Sequence, residues 1–149
     1  MSDMPDTPTV LDMMSAYALD AVDHAKTQDI NLDFSPESVR AVETILGTMY
    51  DAKPKGLLTR LFFLGPSPEV LLTFAKMYGE YVGEVLRRSS GGEWYIDRSI
   101  VPGQATIGLR NGDHAIWPPS KIGKRLSNGP EDNVWHYFQV VAKEWHVAV

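Results

Sequence analysis

Two glutamates, Glu80 and Glu84, stand four residues apart in the run Tyr78-Gly79-Glu80-Tyr81-Val82-Gly83-Glu84-Val85-Leu86-Arg87-Arg88. On a helix this spacing stacks the carboxylates one turn apart on one face, where both could reach a single metal ion or substrate. A carboxylate metal site would also want a histidine three residues after one glutamate, or a second acidic helix. Arg87 takes that position after Glu84, so pairing of Glu84 with Arg87 or Arg88 within the helix is the better reading. Each glutamate follows a glycine, and a glycine inside a helix costs roughly 1 kcal/mol against alanine. Close packing along Ala75, Gly79 and Gly83 would offset that cost. The alternative is a shallow groove with Glu80, Glu84 and Arg87 at its rim. At about 100° per residue the glycines edge the apolar face, while Glu80, Glu84 and Arg87 point away from it with Lys76.

Other chemistry has little support. The chain has no cysteine, which removes disulfides, thiolate zinc sites and cysteine nucleophiles. Its four histidines, His24, His114, His136 and His146, have no ligand spacing among them; His136 and His146 would lie about 15 Å apart on a helix. There is no Gly-x-Ser-x-Gly elbow, no Gly-x-Gly-x-x-Gly and no Walker loop. Gly91-Gly92 comes after a helix and before a strand, the reverse of a phosphate loop. No catalytic set, metal or cofactor is therefore expected. Lys121, Lys124 and Arg125, with Arg87 and Arg88, form the one basic concentration, too weak a footprint to predict nucleic-acid binding.

Charge points instead to a protein partner. Residues 1–51 hold ten acids and two bases, a net of −8, whereas the remainder nets +3. An acidic N-terminal third suits a basic partner, with Asp12, Asp20 and Asp23 as candidate contacts. Trp117, at a strand end before two prolines, is the tryptophan expected to be exposed and to serve as an anchor.

These residues need elements to hold them. Thr7-Pro8 has the form of a cap and first helical residue, followed by an apolar stripe through Val10, Met14, Tyr17, Ala21 and Ala25. Ser35-Pro36-Glu37 repeats the signature ahead of Val39, Val42, Ile45, Leu46 and Met49, with a stop at Pro54 to Gly56. Residues 57–64 predict a short helix or a buried extended segment. Ser67-Pro68-Glu69 opens the helix that carries the glutamates. After Gly91-Gly92 the period becomes two, around Trp94 and Ile96 and then Ala105, Ile107 and Leu109. Asn111-Gly112 predicts a hairpin turn with positive φ at both positions. Pro118-Pro119-Ser120 starts a short basic helix ended by Asn128-Gly129, and Pro130-Glu131-Asp132 starts a last helix with stripe Val134, Tyr137, Phe138, Val141 and Trp145. The prediction is one α+β domain over 1–149, with 1–6 disordered: three long amphipathic helices, a three-stranded antiparallel meander, a short basic helix and a C-terminal helix. At 149 residues such a chain buries roughly two-thirds of its unfolded surface. Its apolar runs are far too short for a membrane helix and its acidic start lacks a basic n-region, so a cytoplasmic protein is expected.

The segments Tyr81 to Arg88, Gly91-Gly92-Glu93-Trp94 and Trp117 to Gly129 resemble a loose group of small bacterial domains of unknown function. That group shares a helix ending in Tyr-x-Gly-Glu, a Gly-Gly-x-Trp strand entry and a proline-started Lys-Arg-x-x-Asn-Gly segment; it implies no catalytic residues. In size and charge the chain also resembles immunity proteins, which bind and block a bacterial toxin. Together these readings predict a non-catalytic, immunity-type inhibitor of a basic toxin domain. The alternative is a small-molecule-binding or enzymatic domain that uses the glycine strip of helix 67–88 as a groove.

Overall fold

The computed structural model describes residues 9–52 and 67–149. These form an α+β fold of five helices and a three-stranded antiparallel sheet: α1 (Val10–Lys26), α2 (Ser38–Asp51), α3 (Pro68–Ser90), β1 (Glu93–Asp97), β2 (Thr106–Asn111), β3 (His114–Ile116), α4 (Pro118–Asn128) and α5 (Val134–Glu144). The expectations for residues 1–6, Thr7-Pro8, Pro54 to Gly56 and 57–64 lie outside the described residues.

Local chemistry sets most of the boundaries. Thr9 caps α1 in a reciprocal box with Asp12: its Oγ1 accepts from Asp12 N–H at 3.1 Å and its N–H donates to Asp12 Oδ2 at 2.9 Å. Ser35 Oγ accepts from Ser38 N–H at 3.2 Å ahead of α2. Ser67 Oγ accepts from Val70 N–H at 3.3 Å, with Pro68 at the first helical position of α3. Gly91 ends α3 in the left-handed region at φ 79°. A 3₁₀ turn at Pro130–Asp132 precedes α5, which Asn133 caps, so this last helix begins later than its sequence predicts. The hairpin also differs: Asn111 pairs with His114, the loop is Gly112-Asp113, and positive φ falls at Gly112 but not at Asn111. That is the pattern with glycine at the first central position, which one left-handed residue satisfies.

Helix α3 runs through the middle, packed against α1 and α4 and touching β2. Every residue from Met77 to Leu86 is buried, so this half of α3 has no solvent face. The expectation that Glu80 and Glu84 point away from the core is therefore overturned: they are 1 % and 0 % exposed. The glycines do allow close packing, Gly83 against the meander and Gly79 against the start of α4. A Cβ at Gly79 would lie 2.5 Å from Pro119 backbone atoms, and one at Gly83 would lie 2.1 Å from the Trp94 ring. Gly83→Ala should thus destabilise by about 1–3 kcal/mol despite its gain in helix propensity, because the indole must move. Urea unfolding checks this, and a neutral or stabilising result would contradict the close approach.

Candidate functional site

The two Gly-Glu steps lead to opposite environments. At Gly83-Glu84 the indole of Trp94 lies on the glycine, and its Nε1–H donates to Glu84 Oε1 at 2.7 Å. Arg87 donates to the same carboxylate through Nε at 2.6 Å and Nη2 at 3.1 Å, and Arg88 through Nε at 3.1 Å. Burial alone would raise the Glu84 pKa, but the hydrogen bonds from Arg87, Trp94 and Arg88 outweigh it and hold the carboxyl below its usual range. Glu84 is thus ionised, paired and shut away from any partner surface. The intrahelical pairing expected from the sequence is present; the exposure is not.

At Gly79-Glu80 the glycine abuts Pro118 and Pro119, which offer no N–H. Glu80 Oε2 is buried without a hydrogen-bond partner among the described residues. Burial pushes its pKa up to about 8, with the Lys76 ammonium pulling weakly the other way, so the group is mostly protonated at neutral pH. Glu80 lines a cleft of about 680 Å³ whose walls come from α1 (Met13, Met14, Tyr17), α3 (Leu71, Leu72, Ala75, Lys76), β2 (Ile107) and α4 (Pro119, Ser120, Gly123). The size is that of a small-molecule site, and the walls are largely apolar.

Trp117 also lines this cleft, half-buried where exposure was expected. Its indole N–H makes no well-formed hydrogen bond. It nevertheless lies close enough to Asp97 to add the last and smallest of the effects, led by Ser99, that lower the Asp97 pKa. Gly123 faces the same space: among the described residues a Cβ there would meet nothing within 4 Å. Unlike Gly79 and Gly83, this mid-helix glycine has no packing contact to explain it, and any larger side chain would occupy the cleft.

The remaining candidates do not join this site. Asp12 is exposed and engaged in the α1 cap, Asp20 is exposed, and Asp23 faces Lys26 at 3.9 Å. Arg87 is committed to Glu84. The basic concentration is broken up by pairing: Arg125, 4 % exposed, donates from Nε to Glu43 Oε1 at 2.7 Å, and Lys121 pairs with Asp132 at 3.0 Å. Glu43 also accepts from Asn133 Nδ2 at 3.1 Å and from Val134 N–H at 2.9 Å, which ties α2 to α4 and α5. Among the described residues no three His, Asp or Glu side chains converge as a metal site, and no helix is long and apolar enough to cross a membrane. The alternative groove reading has Glu80 at its rim, and Glu80 does line the cleft, but Gly79, Gly83, Glu84 and Arg87 are not in its described lining, and the walls from α1, β2 and α4 were not foreseen. The cleft's one local signal is that Met77 to Leu86, bounded by Lys76 and Arg87, holds no charged residue except the two glutamates.

No protein-family model matches the chain, and neither a curated protein nor a solved structure matches it.

The two glutamates should respond to pH with opposite signs. Glu84, with its lowered pKa, contributes stability above the ordinary carboxyl range, and this is lost as pH falls through its folded value. Glu84→Gln should therefore be destabilising at neutral pH, with the gap to the parent closing in acid. Glu80 contributes fully below its ordinary value of 4.5 and loses that contribution as pH rises through about 8. Glu80→Gln should accordingly gain on the parent over this window. Guanidinium chloride unfolding across the pH range reads both, and gaps that move the same way would refute the assignment.

Proposed function

We propose that this protein is a non-catalytic binding module that holds a small, largely apolar molecule in the cleft beside Glu80. The observation that carries this reading is the Glu80 carboxyl, buried in an apolar wall with its Oε2 unpaired among the described residues. Leaving a buried polar group unsatisfied costs about 1–3 kcal/mol, and a ligand group facing it would recover that. Gly123 supports the same reading, since a helix-interior glycine with open space over it keeps the cleft clear at the expense of helix propensity.

The neutral dye N-phenyl-1-naphthylamine should bind the folded protein saturably at one site. Gly123→Met, which needs no rearrangement and improves helix propensity, should leave the fold intact and abolish binding. Dye binding that is absent, or that is equal in the variant, would end the proposal.

A second proposal rests on the exposed Asp20 and Asp23 of α1: an immunity-type inhibitor that meets a basic toxin domain through this face. Charge complementarity of this kind acts mainly on association rate. The product of an adjacent toxin-like gene should then form a complex whose association slows about tenfold in Asp20→Lys/Asp23→Lys. No complex, or an unchanged rate, would dismiss it.

A further inference from the structure

The polar groups around the cleft specify more than apolarity. Lys76 and Glu80 stand one turn apart on α3, and both line the cleft. Pro119 and Ser120, also in the lining, belong to the first turn of α4, an 11-residue helix whose proline start leaves the Ser120 hydroxyl as the donor this end presents to the cleft. The contact of Gly79 with Pro119 brings that turn against α3 one residue before Glu80. Among the described residues of the lining Tyr17, from α1, is the other titratable side chain, and β2 and α4 contribute no charged one. With an ammonium, the Ser120 hydroxyl and an unpaired carboxyl on its walls, the site is electropositive whenever Glu80 is protonated.

Resting on the ligand-binding reading above, we propose that the cleft takes an amphipathic monocarboxylate. Its carboxylate is seated by Lys76, the Ser120 end of α4 and the carboxyl of Glu80, and its apolar body lies along Met13, Leu71 and Ile107. Glu80 acts there as a hydrogen-bond donor: a neutral carboxyl gives its O–H to the ligand's carboxylate, a short charge-assisted bond that an ionised Glu80 would replace with repulsion. Burial, which keeps Glu80 protonated up to about pH 8, makes this arrangement available at neutral pH. A cationic ligand would instead have to ionise Glu80 and accept repulsion from Lys76. A neutral alcohol would leave the Lys76 charge unanswered.

Titration calorimetry with decanoate, decylamine and decan-1-ol, each below its micelle concentration, separates these cases. Decanoate should bind at pH 7 at least about tenfold more tightly than either of the others, and its affinity should fall about tenfold per pH unit above pH 8. Glu80→Gln, whose amide still donates, should bind decanoate without the alkaline fall. Lys76→Gln, at an exposed position with no folding risk, should weaken decanoate severalfold and leave decanol unchanged. If decylamine binds best, or the three bind equally, or decanoate is insensitive to pH and to Lys76→Gln, the carboxylate assignment is overturned while the dye-binding site stands. Failure of all three probes and of the neutral dye overturns the cleft reading itself.

Discussion

The fold depends on one buried charge being completely answered. Glu84 carries its negative charge in the centre of α3 with no exposure, which is tolerable only because two guanidinium groups and an indole N–H converge on it. The indole is the part that organises the rest. With its ring on Gly83 and its N–H on Glu84, Trp94 anchors β1 to α3, and β1 pairs with β2 from Glu93↔Arg110 to Asp97↔Thr106. Strand β2 supplies Ile107 to the cleft and pairs with β3, which leads through Trp117 directly into α4. Arg88 extends the anchoring the other way. Its guanidinium lies 3.7 Å from the centre of the Phe34 ring, and Phe34, at a positive φ of 61°, donates its N–H to Tyr81 at 2.9 Å. Arg88 therefore ties the carboxylate to the α1–α2 connection, and Trp94 ties it to the meander.

Glu84 and Glu80 are buried and Glu43 is half-buried, and their partners set the three apart. Glu84 is ionised because its hydrogen bonds come from charged and indole donors, all directed at the carboxylate. Glu43 bonds the Arg125 guanidinium, an amide and the first backbone N–H of α5, where the helix dipole favours an anion. Both are cross-links whose removal would leave a buried partner uncompensated. Glu80 has no such role: among the described residues it bonds nothing across an element boundary, so they gain no cross-link from a carboxyl there. An apolar residue of similar size would suit the same wall better, which is why the cleft, and not the core, is where its purpose is sought.

Much of the scaffold was legible because it is written in short-range chemistry. Ser35, Ser67 and Gly91 act at helix ends as their types dictate, and the period of two after Gly92 produces the meander. The burial of the glutamates was not legible, for a specific reason. A helical wheel assumes one neighbour and one solvent face, whereas α1 and α4 enclose Met77 to Leu86 together with the Trp94 ring. Which indole meets Glu84 is settled by a chain reversal at Gly91, not by helical spacing. The cleft gathers Met13, Leu71, Ile107 and Gly123, residues remote from one another along the chain, and no local pattern announces that. Arg125 misled in the same way: its spacing from Lys121 and Lys124 suggested a basic surface, but its partner Glu43 lies on α2, far back in the sequence.

The contrast between the two Gly-Glu steps comes down to what packs on the glycine. Each glycine lets a neighbour reach the helix backbone, and each following glutamate then faces whatever that neighbour can donate. Trp94 brings an N–H. Pro118 and Pro119 bring none, although they occupy the first turn of a helix, where unpaired backbone N–H groups are usually free to meet a carboxylate. Ser120, the first residue of α4 with an N–H, already gives it to Trp117 O at 3.0 Å. The prolines thus do two things at once. They allow α4 to start in direct contact with α3, and they strip that start of the donors that would have ionised and satisfied Glu80. What remains is a helix end with no free N–H for Glu80, beside a carboxyl that keeps its proton and the ammonium of Lys76. That is an environment suited to receiving a carboxylate from outside the chain, and a poor one for holding its own.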